Sequence, residues 1–246
     1  MQTSVGHRAL LGVLTPSSNT VLEPLTCAML RDLPDVSAHF SRFRVREISL
    51  RQEALGQFDQ APIVAAARLL ADARVGSIIW SGTSAGWKGF AADERLCAAI
   101  TKLTNLPAGS SVLALNEAFL LSGVRRFALV TPYLGEIQER ILQSYASAGF
   151  ECVAERHLRQ RDNFAFSEVS EATIAQMIRE VATARPQAIT VFCTNLRGAS
   201  LVEALEAETG IPIYDTIATG VWKGMRLAGA DPRRIKGWGR LFGEVA

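Results

Sequence analysis

Short apolar runs, rich in β-branched residues and each closed by a polar cluster, alternate along the chain with longer stretches of helical period. Such runs read as parallel strands buried on both faces, and the stretches between them as the helices that cover those faces. Residues 9–14 form the first strand, which ends at Thr15-Pro-Ser-Ser-Asn-Thr20 before a helix over 21–30. Residues 35–49 alternate as a second strand centred on 39–45, and 62–74 are helical with an Ala/Leu face. The next strand, 76–80, closes at Ser81-Gly-Thr-Ser-Ala-Gly-Trp87. A helix over 93–103, a short strand introduced by Leu106-Pro107 and a helix over 111–122 complete this half.

The pattern then starts again. Residues 126–135 repeat the strand-Thr-Pro-helix of 9–20, with Thr131-Pro132 matching Thr15-Pro16. Gln187-Ala-Ile-Thr-Val-Phe-Cys-Thr194 repeats Gly76-Ser-Ile-Ile-Trp-Ser-Gly-Thr83, which sets Cys193 against Gly82. Thr209-Gly-Ile-Pro212 repeats Thr104-Asn-Leu-Pro107, each ahead of an apolar helix. The offsets are nearly constant, and no solenoid period is present. The predicted fold is therefore α/β: two pseudo-symmetric lobes, each a mostly parallel sheet flanked by helices, with the active site in the cleft between them. The first lobe is expected over 1–115, with 217–246 packing back on it, and the second over 116–216.

A chain of 246 residues is long enough for two such cores of roughly 110–120 residues each. Its 48% hydrophobic and 20% charged composition is that of a globular protein. A net charge of +2 with no basic stripe argues against a nucleic-acid partner, and Arg233-Arg-Ile-Lys236 reads as a solvated turn. No apolar run is long enough to span a membrane, and the residues from Met1 to Arg8 lack the form of a signal peptide, so a cytoplasmic location is expected. The four cysteines, Cys27, Cys97, Cys152 and Cys193, show no Cys-x-x-Cys or metal-ligand spacing, and His7, His39 and His157 are far apart. No metal site is expected. Homo-oligomerisation is left open.

Candidate chemistry lies in the loops that close the strands. Cys193, followed by Thr194 and Asn195, stands where a parallel strand delivers its last side chain to the carboxyl edge of a sheet, and a thiol there can act as acid, base or nucleophile. Packing competes with that reading, because free cysteines are among the most buried residues. Cys27, Cys97 and Cys152 are read as packing. Ser81, Thr83, Ser84, Asn19, Tyr133, Thr194 and Asn195 are hydrogen-bond donors of the kind that hold a carboxylate or a developing enediolate, although small polar residues there also serve as helix caps. Asp162-Asn163-Phe164, a polar break in the second lobe, is placed to reach the same cleft. Because Gly82 offers no side chain opposite Cys193, two-base racemisation is handicapped and single-face protonation is not.

Pro16-Ser-Ser-Asn-Thr20, Ser81-Gly-Thr-Ser84, Thr131-Pro-Tyr133 and Cys193-Thr-Asn-Leu-Arg197 together resemble the maleate isomerase and arylmalonate decarboxylase branch of the aspartate/glutamate racemase superfamily, over about residues 9–228. The resemblance implies two pseudo-symmetric lobes, no cofactor and an acidic small-molecule substrate between them. In the isomerases the position matching Gly82 is a cysteine that adds to the substrate double bond. In the decarboxylases it is glycine, and the second-lobe cysteine, here Cys193, protonates the enediolate. Carried over, Thr83, Ser84 and Tyr133 join Cys193 as a decarboxylase-like oxyanion cradle, while Asn19 and Asn163 match carboxylate-binding positions of the isomerases. Ser18, Pro16, Gly82 and Thr194 complete the expected substrate contacts. Gly82 is decarboxylase-like, whereas Asn19, Asn163 and the Cys-Thr-Asn-Leu-Arg run are isomerase-like. The expected function is cofactor-independent decarboxylation of a malonate-type diacid, its leaving carboxylate set against apolar residues such as Trp80 or Trp87. The alternatives are a cis-trans isomerase or racemase acting on a small dicarboxylate or amino-acid derivative, and a carboxylate-binding protein without turnover.

Overall fold

The structure, a computed structural model, describes residues 8–245; His7, the rest of the N-terminal stretch read for a leader, and Ala246 lie outside the described residues. β1 (Ala9–Pro16), β2 (Val36–Phe43), β3 (Ser77–Trp80) and β4 (Ala108–Ser110) form one parallel sheet in the order β2-β1-β3-β4. β5 (Arg126–Thr131), β6 (Glu151–His157), β7 (Ala188–Val191) and β8 (Ile213–Asp215) form a second in the equivalent order β6-β5-β7-β8. The internal repeat thus has a structural counterpart strand by strand. β3 and β7 are buried at every position, as strands covered on both faces must be.

Helices α1 (Leu22–Leu30), α2 (Gln52–Gly56), α3 (Gln60–Asp72), α4 (Ala85–Lys88), α5 (Phe90–Thr104) and α6 (Ser111–Leu121) belong to the first half of the chain. α7 (Gly135–Ser147), α8 (Glu171–Ala182), α9 (Val202–Thr209), α10 (Thr216–Leu227) and α11 (Arg240–Glu244) belong to the second. A helix near the end of each half leans on the other half. From α6, Phe119 enters the second core, its ring 5.3 Å from Phe127, 5.6 Å from Phe150 and 5.9 Å from Tyr214. In return α10 lies against α6, β3 and β4. Two glycines permit that approach: a Cβ at Gly220 would stand 2.7 Å from Ser111 Oγ and one at Gly224 3.1 Å from Ile79 Cγ1, and the Gly224 carbonyl accepts a bond from Ser77 Oγ at 2.9 Å. α11 turns back towards β8, and the Arg240 amide at its start donates to Glu206 of α9.

Two stretches depart from the sequence reading. The second strand leaves its ladder at Phe43, not near residue 49. Beyond it, Val45 and Ile48 are buried because the chain crosses to the other lobe, where the Ile48 amide donates to the Arg161 carbonyl and the Asn163 amide to the Arg46 carbonyl. Alternation there is satisfied across a cleft rather than within a sheet. Likewise β7 ends at Val191, its last sheet-like bond running from the Phe192 amide to the Val130 carbonyl, so that Cys193 stands two residues past the strand. No helix among the described residues is long and apolar enough to cross a membrane.

The exchange of helices makes a direct prediction. Phe119→Ala should cost about 3–5 kcal/mol of stability, as expected for a fully buried aromatic. Leu121→Ala, on the same helix but 53% exposed, should stay within about 0.5 kcal/mol. Urea unfolding of the two variants reads the difference, and equal effects would show that Phe119 does not hold the halves together.

Candidate active site

The carboxyl ends of β1, β3, β5 and β7 converge on the seam between the sheets, where open α/β folds place their ligands. A small cavity of about 20 Å³, space for about one water, lies there. The first half contributes Pro16, Trp80, Gly82, Thr83, Ser84 and Trp87, with Val45, Ile48 and Phe58 as a roof from the β2–α3 connection. The second contributes Tyr133, Asn163, Cys193 and Thr194. Eight of the ten residues expected at the site are therefore brought together around one space.

Asn19 and Ser18 stand behind its wall. The Asn19 carboxamide is fully engaged: Oδ1 accepts from the Val21 and Leu22 amides at 3.0 and 2.9 Å, and Nδ2 donates to the Thr194 carbonyl at 2.9 Å. It caps the entry to α1 and ties that entry to the other half. Ser18 Oγ donates to the Val45 carbonyl at 2.7 Å and accepts from Asn163 Nδ2 at 2.7 Å. Further bonds lace the same seam, from the Thr20 amide to Asn195 Oδ1 and from Thr194 Oγ1 to the Ser81 carbonyl.

Inside the seam the donors are aimed differently. Thr83 Oγ1 and the Tyr133 hydroxyl, one from each half, lie 2.6 Å apart. Ser84 stands at the N-cap position of α4 yet does not use its hydroxyl to cap it, which leaves that group free for the cavity. Ser110 and Asp215, at equivalent strand ends, do cap α6 and α10. The capping interpretation thus holds for one set of small polar residues and fails for Ser84.

Cys193 is 2% exposed. Burial pushes its thiol up to about 12, against smaller lowering effects from Tyr133 and the Asn195 amide, the latter 3.4 Å from Sγ. Burial, followed by the nearby Cys193, also raises the Tyr133 hydroxyl well above its usual value. At neutral pH both groups therefore carry their protons and can donate. Cys97 and Cys152 are likewise raised to about 12 by burial. Position on the cavity, rather than acidity, distinguishes Cys193 from them.

Three roof residues, Val45, Ile48 and Phe58, carried no recognisable chemical signal. Nor did two buried carboxyls. Asp215, close enough to Cys193 to raise its thiol, is itself raised to about 7 by burial. Asp93, beside Ser110 and Trp80, is also raised to about 7 by burial. Extending the repeat from Pro107 and Pro212 to the strand ends would have paired Asp215 with Ser110 and drawn attention to it. Among the described residues no group of three or more His, Cys, Asp or Glu is arranged to hold a metal ion.

Comparison with known proteins places this geometry. A family model described as arylmalonate decarboxylase matches residues 21–242. The arylmalonate decarboxylase of Bordetella bronchiseptica is 29% identical over 166 residues, covering 66% of this chain and 69% of that protein. The maleate isomerase of Nocardia farcinica (strain IFM 10152) is 25% identical over 239 residues, 94% of each. Among solved structures, the maleate isomerase Iso from Pseudomonas putida S16 superposes with a TM-score of 0.86 at 25% identity, covering 97% of this chain and 99% of the other. The two-lobe architecture is shared, and the relatives are enzymes of two kinds.

The buried carboxyls predict an unusual pH dependence. Between pH 3.8 and about 7, folded Asp215 and Asp93 retain protons that the unfolded chain has released. Their contribution is thus full below pH 3.8 and is lost as pH rises through about 7. Asp215→Asn keeps a capping acceptor and removes the titration, so its urea midpoint should fall less steeply over this window than that of the unsubstituted protein. Identical slopes would contradict a protonated Asp215.

Proposed function

The chain belongs to the arylmalonate decarboxylase family, and from that premise we propose that it decarboxylates a malonate-type diacid, with Cys193 supplying the proton that replaces CO2. The observation carrying this reading is a single protonated thiol on the cavity with a glycine, Gly82, at the equivalent position of the other half. Such a site protonates one face of a carbon and offers no side-chain acid or base at residue 82.

One substrate carboxylate would be held by Thr83, Ser84 and Tyr133, and the other would lie against the apolar roof of Val45, Ile48 and Phe58. Removing a carboxylate from water favours its loss as neutral CO2. As the C–C bond breaks, its electron pair passes into the retained carboxylate to form an enediolate. The three hydroxyls stabilise the charge that develops, each oxyanion donor of this kind supplying up to about 3–4 kcal/mol. The Cys193 S–H then transfers its proton to the α-carbon, and the resulting thiolate regains one from water. The raised thiol value fits this sequence, because an acid must rest protonated.

Cis-trans isomerisation of a small dicarboxylate is the second reading. It is supported by similarity to maleate isomerases along nearly the whole chain. It would have to proceed without a thiol at residue 82.

An α-substituted malonate labelled with 13C in its carboxyls should release labelled CO2 when incubated with the protein. Cys193→Ala should lower that rate by at least about 100-fold. Tyr133→Phe should lower kcat by roughly 10- to 1000-fold. In D2O a prochiral substrate should give one singly deuterated enantiomer that does not racemise on standing. Fumarate from maleate, with no CO2 from any malonate, would replace this reading by the isomerase one.

A further inference from the structure

Gly82 is more than a position without a side chain. An ideal Cβ built there would stand 2.6 Å from Cε2 of Trp80 and closer still to its Cζ2 and Cη2. The indole therefore already fills the volume that any residue at 82 would enter. It is also firmly placed. Trp80 ends β3, paired with Leu14 on one side and Ser110 on the other; it is 1% exposed, and its ring meets that of Phe43 at 5.1 Å.

We infer that Trp80 is the specificity-determining residue of this site: its indole takes the volume that a side chain at residue 82 would need, gives the cavity a carbon wall on the first-lobe side, and holds the accepted diacids to small α-substituents. The inference rests on the decarboxylation reading and names its substrate class. Two physical consequences follow from the placement. A second thiol at residue 82 cannot simply face Cys193, because the indole must first be displaced; replacing Gly82 alone is therefore no route to two-sided proton transfer. The wall is also fixed by the sheet rather than by a connection. Val45, Ile48 and Phe58 come from a connection between β2 and α3, whereas Trp80 is locked into a central strand. Enlarging the cavity on that side takes a change of sequence.

The steric claim is tested without a substrate, by thermal unfolding of Trp80→Leu, Gly82→Ala and the double variant. Gly82→Ala should lower the midpoint sharply in the unsubstituted background and much less in the Trp80→Leu background. If it is tolerated equally in both backgrounds, the indole does not occupy that volume and the inference fails. The specificity claim is tested by kcat/KM for vinylmalonate against phenylmalonate, whose substituents both conjugate with the enediolate and differ in size. The unsubstituted protein should prefer the vinyl compound, and Trp80→Leu should move the ratio at least about tenfold towards phenyl. Trp80→Phe, a smaller truncation, should move it in the same direction and serves if the leucine variant does not fold. Strong coupling in stability with an unmoved ratio would overturn the specificity role alone. Coupling with no CO2 from either diacid would overturn that role together with the decarboxylation reading.

Discussion

Thr83 and Tyr133 approach to 2.6 Å from opposite halves of the molecule, and that contact helps close the seam in which Cys193 sits out of water. Taking a thiol out of water disfavours its anion, so sealing the seam also keeps Cys193 protonated. The rest of the architecture serves the seal. Asn19, Thr20, Ser18, Asn163 and Thr194 bond across the halves. α6 and α10 reach across in opposite directions, which couples the two cores to the geometry of the cleft. A site assembled from two sheets needs such ties, because strand ladders alone fix positions only within a sheet.

The two walls differ in kind. On the second-lobe side stand a thiol and the Tyr133 hydroxyl; on the first-lobe side the Thr83 and Ser84 hydroxyls stand beside an indole packed over a glycine. The internal repeat makes the halves equivalent in strand order, and residues 80, 82 and 193 break that equivalence where chemistry would occur. An asymmetric pair of walls on a symmetric scaffold suits a reaction that treats the two faces of a carbon differently.

Much of this was legible in the chain. Strands at 9–14, 76–80, 126–131 and 188–191 announce themselves because burial on both faces demands continuous apolar runs, and the repeated Thr-Pro and Leu/Ile-Pro signals matched the halves. The roof was misread because a period of two arises equally in a strand and in a segment lying across a cleft, as 44–48 does. Asn19 shows a different limit. A carboxamide beside a cleft can face into it or away, and its sequence neighbours do not reveal that all its strong bonds are spent on α1 and Thr194. The relation between Trp80 and Gly82 was hidden for a similar reason: two residues apart on a chain that is leaving a strand, they meet only through the turn that follows.

Cys193 as a resting thiol that acts as an acid is the centre of this mechanism, and its protonation state can be measured directly. Infrared difference spectroscopy at neutral pH, the unsubstituted protein minus Cys193→Ser, isolates this one cysteine from the other three. A positive S–H stretching band, persisting until the solution is strongly alkaline, is the predicted result. Absence of that band at neutral pH, with thiolate absorbance in the ultraviolet in its place, would make Cys193 a nucleophile and contradict the account.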